Sequence, residues 1–247
     1  TDGKMRDDLR VNNVIPLIEP YSAMGIAGNT RFNRSDFTSS EQTTSAILSV
    51  TGDDAIVDWV FIELRDPANS SIVLHTKSAI IQRDGDIVES TDGTSSLLFN
   101  NLTKSSYYIS VKHRNHLGVM TAAPVTFTGT NPVFDFSSAT PTDVWNSNAS
   151  FEGFEQEQET NGKYAMWAGN TNADRKVKYS GPTTDQATIF STAITYTGNT
   201  FNNYNFNNAF PGYFMGDVNM DAKVKYRGVG NDANYIFFNV ITKYTLN

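Results

Sequence analysis

Residues 169–194, GNTNADRKVKYSGPTTDQATIFSTAI, align without a gap on residues 216–241, GDVNMDAKVKYRGVGNDANYIFFNVI. The offset is 47 throughout, and 12 of the 26 positions are identical. Polar side chains recur at alternate positions and are followed by Lys-Val-Lys-Tyr, a Gly, an Asp and an apolar Ile-Phe pair. A solvated turn has no reason to keep its oxygens in register with a distant Asp and a hydrophobic pair. Duplication of one loop-plus-helix unit does.

The spacing has a chemistry. A hard cation such as calcium takes six to eight oxygens, and side chains at positions 1, 3 and 5 of a tight loop converge on one point, with a carbonyl at position 7 and an acid beyond. In the second unit these are Asp217, Asn219, Asp221, the carbonyl of Lys223, and Asp232. In the first they are Asn170, Asn172, Asp174, the carbonyl of Lys176, and Asp185. An ordinary loop of this kind closes at position 12, which here holds Gly228 and Gly181. The next acid stands at position 16 in both units, so each loop carries a four-residue insertion, RGVG or SGPT. Asp232 and Asp185 also precede helical patterns, ANYIFFNVI and QATIFSTAI, which makes each a candidate N-cap. Position 6, usually Gly, is Ala222 or Arg175. A left-handed backbone there costs roughly 1 kcal/mol or more. The second loop has three carboxylates against two in the first, so it is expected to bind calcium more tightly. The cation is expected to stabilise the C-terminal part alone.

Upstream, strand-like runs recur every 8 to 12 residues between polar turns. TSAILSV, AIVDWVFIELR, two strands in SIVLHTKSAIIQRDGDIVES, SLLFNNL and SSYYISVKHRNHLGVMTAAPVTF read as an antiparallel β-sandwich over residues 1–128. The run around Trp59 is apolar on nearly both faces and is expected at the centre, with Trp59 in the core. RDGD makes a tight turn between Ile81 and Ile87. IPLIEPYSAMG is expected to run irregularly along an edge. Residues 129–163 form a connecting segment whose Phe134, Phe136 and Trp145 dock on a neighbour and whose acidic run, Glu152 to Glu159, is a solvated face. Residues 164–247 hold the duplicated unit. The fold class is therefore mainly β, a sandwich followed by a small domain of two calcium loop-helix units.

Composition excludes several functions. With no cysteine there is no disulfide, thiolate site or thiol nucleophile. A net charge of −7 argues against nucleic acid as a partner and suits cations. No apolar run approaches the roughly 18 residues of a membrane helix. The polar opening, TDGKMRDDLR, reads as a processed or truncated start.

Paired D-x-N-x-D loops, each followed by a short helix, resemble the duplicated calcium loops of dockerin modules. The extended unit, together with MRDDLR…IPLIEPYS, VDWVFIELRD, IIQRDGDIV and YYISVKHRNHLGVMT, resembles the C-terminal region of large secreted surface proteins of Bacteroidetes. The resemblance covers most of the chain. It implies a non-catalytic region exported by the type IX secretion system to the cell surface, among adhesins and gliding-machinery proteins.

An enzyme has little to stand on. There is no G-x-S-x-G, H-E-x-x-H or phosphate-binding Gly loop. His113 and His116, in KHRNH, would point to opposite faces of a strand and converge only if a turn begins between them. A polar turn is the simpler reading. Distant carboxylate pairs are always imaginable among 26 acids and carry no signal. The expectation is a calcium-binding module that docks on another secreted or outer-membrane surface protein. The alternative is a carbohydrate-binding adhesin module, for which TFNNYNFNNAFPGYF offers Phe201, Tyr204, Phe206, Phe210 and Tyr213 among its Asn residues.

Overall fold

The structure, a computed structural model, describes residues 3–26, 30–33, 41–127, 132–140, 142–145, 156–158, 162–199 and 209–243. The chain is mainly β, with an antiparallel sheet and few helices. Four strands make the body of the sheet: β1 (Ile56–Asp66), β2 (Asn69–Gln82), β3 (Ile87–Val88) and β4 (Ser106–Lys112). β5 (Val119–Met120) and β6 (Val125–Thr126) complete it. The order is β3-β2-β1-β4-β5, and β6 also pairs with β4. β1 is central, as its two-faced apolar run requires, and Ile56 through Arg65 are all buried. Ile81 pairs with Ile87 across the RDGD turn.

The two faces of β1 feed two cores. Trp59 and Phe61 join Ile56, Ile80 and Val88 on one face. Val60 and Ile62 join Ala79, Val111 and Val119 on the other. Among the described residues the layer over each face is not a second sheet. On the Trp59 side it is the N-terminal segment, with α1 (Asp8–Val11) and α2 (Tyr21–Ile26), contributing Leu9, Ile15, Tyr21 and Phe32. Polar groups in the same segment fasten it. The Trp59 indole donates to the Pro16 carbonyl at 2.8 Å, and the Tyr21 hydroxyl donates to the Trp59 carbonyl at 2.7 Å. On the opposite face, Leu97, Phe99, Phe136 and Met166 cover the sheet. Trp145 meets Tyr108 edge-on at 5.5 Å, so the connecting segment's Phe136 and Trp145 both dock.

Two strand readings are corrected. In TSAILSV, residues 45–48 are a helical turn, α3 (Ser45–Leu48), because the Thr44 hydroxyl accepts the Ile47 N–H at 3.3 Å and starts a helix. SLLFNNL forms no strand. Its only ladder contact among the described residues is an isolated bridge from Ser96 to Val88, and Leu97 and Phe99 pack against the sheet's core instead. β7 (Glu157–Gln158) and β8 (Tyr164–Ala165) form a small ribbon. Most of the run Glu152 to Glu159 lies outside the described residues.

The C-terminal part holds α4 (Asp185–Thr195), β9 (Phe210–Pro211), β10 (Lys223–Val224) and α5 (Asp232–Phe237), which continues as a wider turn to Lys243. It does not stand apart. Ala173, Tyr213, Met220 and Ala222 pack into the same core as Trp59 and Phe61. The backs of the two loops are part of the layer over the sheet. A cation that orders them therefore bears on the sheet's core as well as on the C-terminal residues. No helix among the described residues is long and apolar enough to cross a membrane.

Candidate metal-binding loops and the junction that holds them

Both loops have the same backbone. Positions 4 and 6 are left-handed in each: φ is 59° at Ala173 and 70° at Arg175, and 59° at Met220 and 67° at Ala222. None of the four is Gly, so each residue costs roughly 1–2 kcal/mol. Side-chain oxygens at positions 3 and 5 hold the turn against that cost. Asn172 Oδ1 accepts the Asp174 N–H and Asp174 Oδ1 accepts the Lys176 N–H, both at 3.0 Å. In the second loop Asn219 Oδ1 accepts the Asp221 N–H at 3.0 Å and Asp221 Oδ1 accepts the Lys223 N–H at 3.1 Å. Asp217 accepts the N–H groups of Asp221 and Ala222, both at 3.0 Å. Without Gly at position 6 the turn is kept, and Ala222 uses its methyl group in the sheet's core.

The closing acids are not caps. Asn231 caps α5 by accepting the Asn234 N–H at 2.9 Å, and Thr184 holds the corresponding place before α4. Asp232 and Asp185 are one residue further on and turn back into their loops. Asp232 accepts N–H groups from Val218 at 2.8 Å, Asn219 at 3.3 Å and Lys225 at 2.7 Å. Asp185 accepts from Asn172 at 3.3 Å and Lys178 at 2.6 Å. The four-residue insertion brings the acid back to the start of its loop. It is held by the second Lys of each Lys-Val-Lys-Tyr run: Lys178 Nζ donates to the Pro182 carbonyl at 2.6 Å, and Lys225 Nζ to the Val229 carbonyl at 2.8 Å.

The carboxylates at the base of the loops are buried and hold their protons abnormally well. Desolvation is the main cause, with a nearby acid adding to it. Asp185 is pushed up to about 6, with Asp174 adding. Asp217 rises to about 7, with Asp221 adding and Arg114 opposing, and Asp232 to about 8, with Asp217 adding. No ion pair among the described residues involves Asp174, Asp185, Asp217, Asp221 or Asp232. The donors in each loop are all oxygens, the set a hard cation takes. Carboxylates alone do not complete it: among the described residues no three Asp, Glu or His side chains gather closely enough to hold a metal. A bound cation would be shared between carboxylate, carboxamide and carbonyl oxygens. The oxygens available to such a cation are those of Asp217, Asn219, Asp221 and Asp232 in one loop and Asn172, Asp174 and Asp185 in the other, with the carbonyls of Lys223 and Lys176. Asn170 is buried at the first position of its loop.

The two units exchange contacts. A Cβ on Gly169, before the first loop, would lie 3.1 Å from Ile236 Cγ1 of α5. A Cβ on Gly216, before the second, would lie 3.2 Å from Ile189 Cα of α4. Tyr179 packs edge-on against Phe237 at 5.0 Å, and Phe190 against Tyr226 at 5.1 Å. Each residue in these contacts has its counterpart 47 positions away. The identities in the repeat are thus the loop, the Lys that holds its insertion, and the residues that meet the other unit.

The turn KHRNH joins this pair to the sheet. His113 and His116 do converge, because β4 ends at Lys112 and the turn begins at once. Their Nδ1 atoms are 2.8 Å apart, and His113 Nε2 lies 2.8 Å from Asp58 Oδ2. His113 therefore donates from Nε2 to Asp58 and accepts at Nδ1 from His116, whose Nδ1–H is shared with Asn115 Oδ1 at 2.8 Å. Asp58 also accepts from Arg114 Nε at 3.0 Å and the Tyr213 hydroxyl at 2.8 Å. Burial alone would raise the Asp58 carboxyl, but the Arg114 charge and the His113 and Tyr213 bonds hold it at about 2. Burial lowers both histidines, His113 against the pull of Asp58 and His116 with the Arg114 charge adding. Arg114 also donates to the Phe214 carbonyl and lies 4.4 Å over the Tyr213 ring. Of the aromatics considered for sugar binding, Tyr213 is thus taken up in the junction and Phe210 is buried, while Phe201, Tyr204 and Phe206 lie outside the described residues. Asp58, Arg114 and Asn115 escaped the sequence reading. The signal for Arg114 and Asn115 was the polar run that ends β4, and for Asp58 a carboxylate inside a buried strand.

Comparison with family models, curated proteins and solved structures finds no match to the chain.

Proposed function

We propose that the chain is a non-catalytic, calcium-binding module of an exported cell-surface protein, which docks on another secreted surface protein. In fold terms it is a mainly β domain built on one antiparallel sheet, and its duplicated unit is dockerin-like. One observation carries the calcium reading: two loops of the same non-Gly left-handed backbone hold the same oxygens, over buried carboxylates that form no ion pair among the described residues, the Arg114 charge acting on Asp217 only from a distance. The surface role rests on the resemblance to Bacteroidetes secreted proteins of the type IX and gliding class. Pull-down from outer-membrane extract, with calcium and with chelator, tests it. Calcium-dependent recovery of a surface protein is expected, and its absence counts against docking.

A glycan is the second reading, favoured by an open groove of about 960 Å³ along α4, lined by Thr188, Ser191, Thr192, Thr195, Tyr196 and Phe214. The Thr192 and Thr195 hydroxyls each donate to a helix carbonyl at 2.8 Å, so their oxygens accept, as sugar hydroxyls require. A glycan array separates the two readings.

A further inference from the structure

Asn115 is fully buried and touches the start of both loops. Its carbonyl accepts the Gly169 N–H at 2.9 Å, one residue before the first oxygen-bearing position of the first loop. Its carboxamide nitrogen donates to the Met215 carbonyl at 3.1 Å and to the Asp217 carbonyl at 2.6 Å, and Asp217 is the first position of the second loop. The carboxamide orientation is fixed by this network, since two carbonyls face the nitrogen and His116 Nδ1–H faces the oxygen. One side chain and its own peptide group thus bridge two segments 47 residues apart. The exchanged helices run in parallel with this link. α4 begins with the acid that closes the first loop and lays Ile189 on Gly216 before the second. α5 begins with the acid that closes the second and lays Ile236 on Gly169 before the first. Neither loop can shift its first residue or its closing helix without moving a contact of the other.

We propose that Asn115 is a positioning residue that couples the two loops, so that filling either one with calcium raises the affinity of the other. This rests on the calcium reading above. It requires each loop to have an ordered and a loosened arrangement, and Asn115 to favour the ordered one in both at once. Binding at one loop then removes part of the ordering cost at the other, and linkage makes the effect reciprocal.

The test is calcium titration of the full chain by calorimetry, for the wild type, for Asp174→Asn and Asp221→Asn, and for each of these with Asn115→Ala. Each single loop variant is expected to weaken the intact loop by about 5- to 150-fold, the usual range of such coupling. In the Asn115→Ala background the same loop variants should weaken the other loop at least about threefold less than they do with Asn115 present, the exchanged helices carrying what coupling remains. A purely structural role for Asn115 would lower affinity at both loops and keep the coupling. Hydrogen exchange gives a readout that leaves Asn115 intact: in Asp174→Asn, filling the second loop should raise protection of the Gly169 N–H. Independent loops in the wild type, coupling undiminished in a folded Asn115→Ala chain, or unchanged Gly169 protection would each overturn the proposal. A wild type that takes up no calcium would overturn the calcium reading itself, a result distinct from calcium bound at two independent loops.

Discussion

Tyr179 of the first unit lies edge-on against Phe237 of the second, with ring centroids 5.0 Å apart. Exchanging the units gives Tyr226 against Phe190 at 5.1 Å. The pair is a clasp between two copies that bury a common core of Ile189, Val218, Val224, Ala233 and Ile236. A double-mutant cycle on Tyr179→Ala and Phe237→Ala should give a coupling of about 0.5–1.5 kcal/mol, as aromatic pairs do beyond their area. The two units should also melt in a single transition in every variant. Separate transitions would show that the clasp does not join them.

Gly216 and Gly230 separate two reasons for glycine. A Cβ at Gly216 meets backbone of α4 at 3.2 Å, whereas Gly230 has φ of 69° and open space around it. Gly216→Ala should cost about 1–3 kcal/mol through overpacking and weaken calcium binding at both loops. Gly230→Ala should cost about 1 kcal/mol through its backbone and leave binding nearly unchanged. Thermal melts and titrations of the two variants check the contrast.

Trp59 is wholly buried between the N-terminal segment and the sheet, with its indole nitrogen on Pro16. Trp59→Ala should destabilise the chain by about 3–5 kcal/mol. Urea denaturation measures this. Unchanged stability with lost ligand binding would instead make Trp59 a recognition surface.

The junction should be acid-sensitive. His113 and His116 titrate lower in the folded chain than in the unfolded one, where histidine stands near 6.5. A depressed group contributes stability above its unfolded value and loses it as pH falls, so this contribution fades below about pH 6.5. The groups facing the pair are Asp58, Arg114, Arg31 and Asn115. Asp58 acts in the same direction but later, between about pH 4 and its value of about 2. At saturating calcium, wild type should lose more stability between pH 7.5 and 5.5 than His116→Gln. Equal losses would mean the pair does not titrate through this window.

The repeat made the loops legible, because twelve identities across 47 residues preserve ligand positions and unit contacts together. The centre of the sheet was legible because β1 is apolar on both faces. Four residues of helix at Ser45–Leu48 are too short to display a period, and only the cap at Thr44 gives them away. Leu97 and Phe99 resemble a strand because they are apolar, but β pairing needs a partner in register, and the bridge here joins Ser96 to Val88 at the end of β3 and goes no further. Asn115 was hidden for a different reason. Its role depends on carbonyls 100 and 102 residues further along the chain, and no local pattern encodes such a contact.

Calcium titration of the full chain, read by calorimetry and by melting with and without chelator, bears most directly on the two loops. Two sites are expected, with the tighter lost in Asp217→Ala and the weaker in Asp174→Ala, since the second loop has the greater carboxylate charge. At a hundredfold excess over Kd the melting shift should correspond to about 2.7 kcal/mol. Because Met220 and Ala222 lie in the sheet's core, probes in the sheet should report that shift too. Loss of the tighter phase in Asp174→Ala would reverse the ranking. A wild type with no binding heat and no calcium-dependent melting shift would contradict the assignment of these loops to calcium.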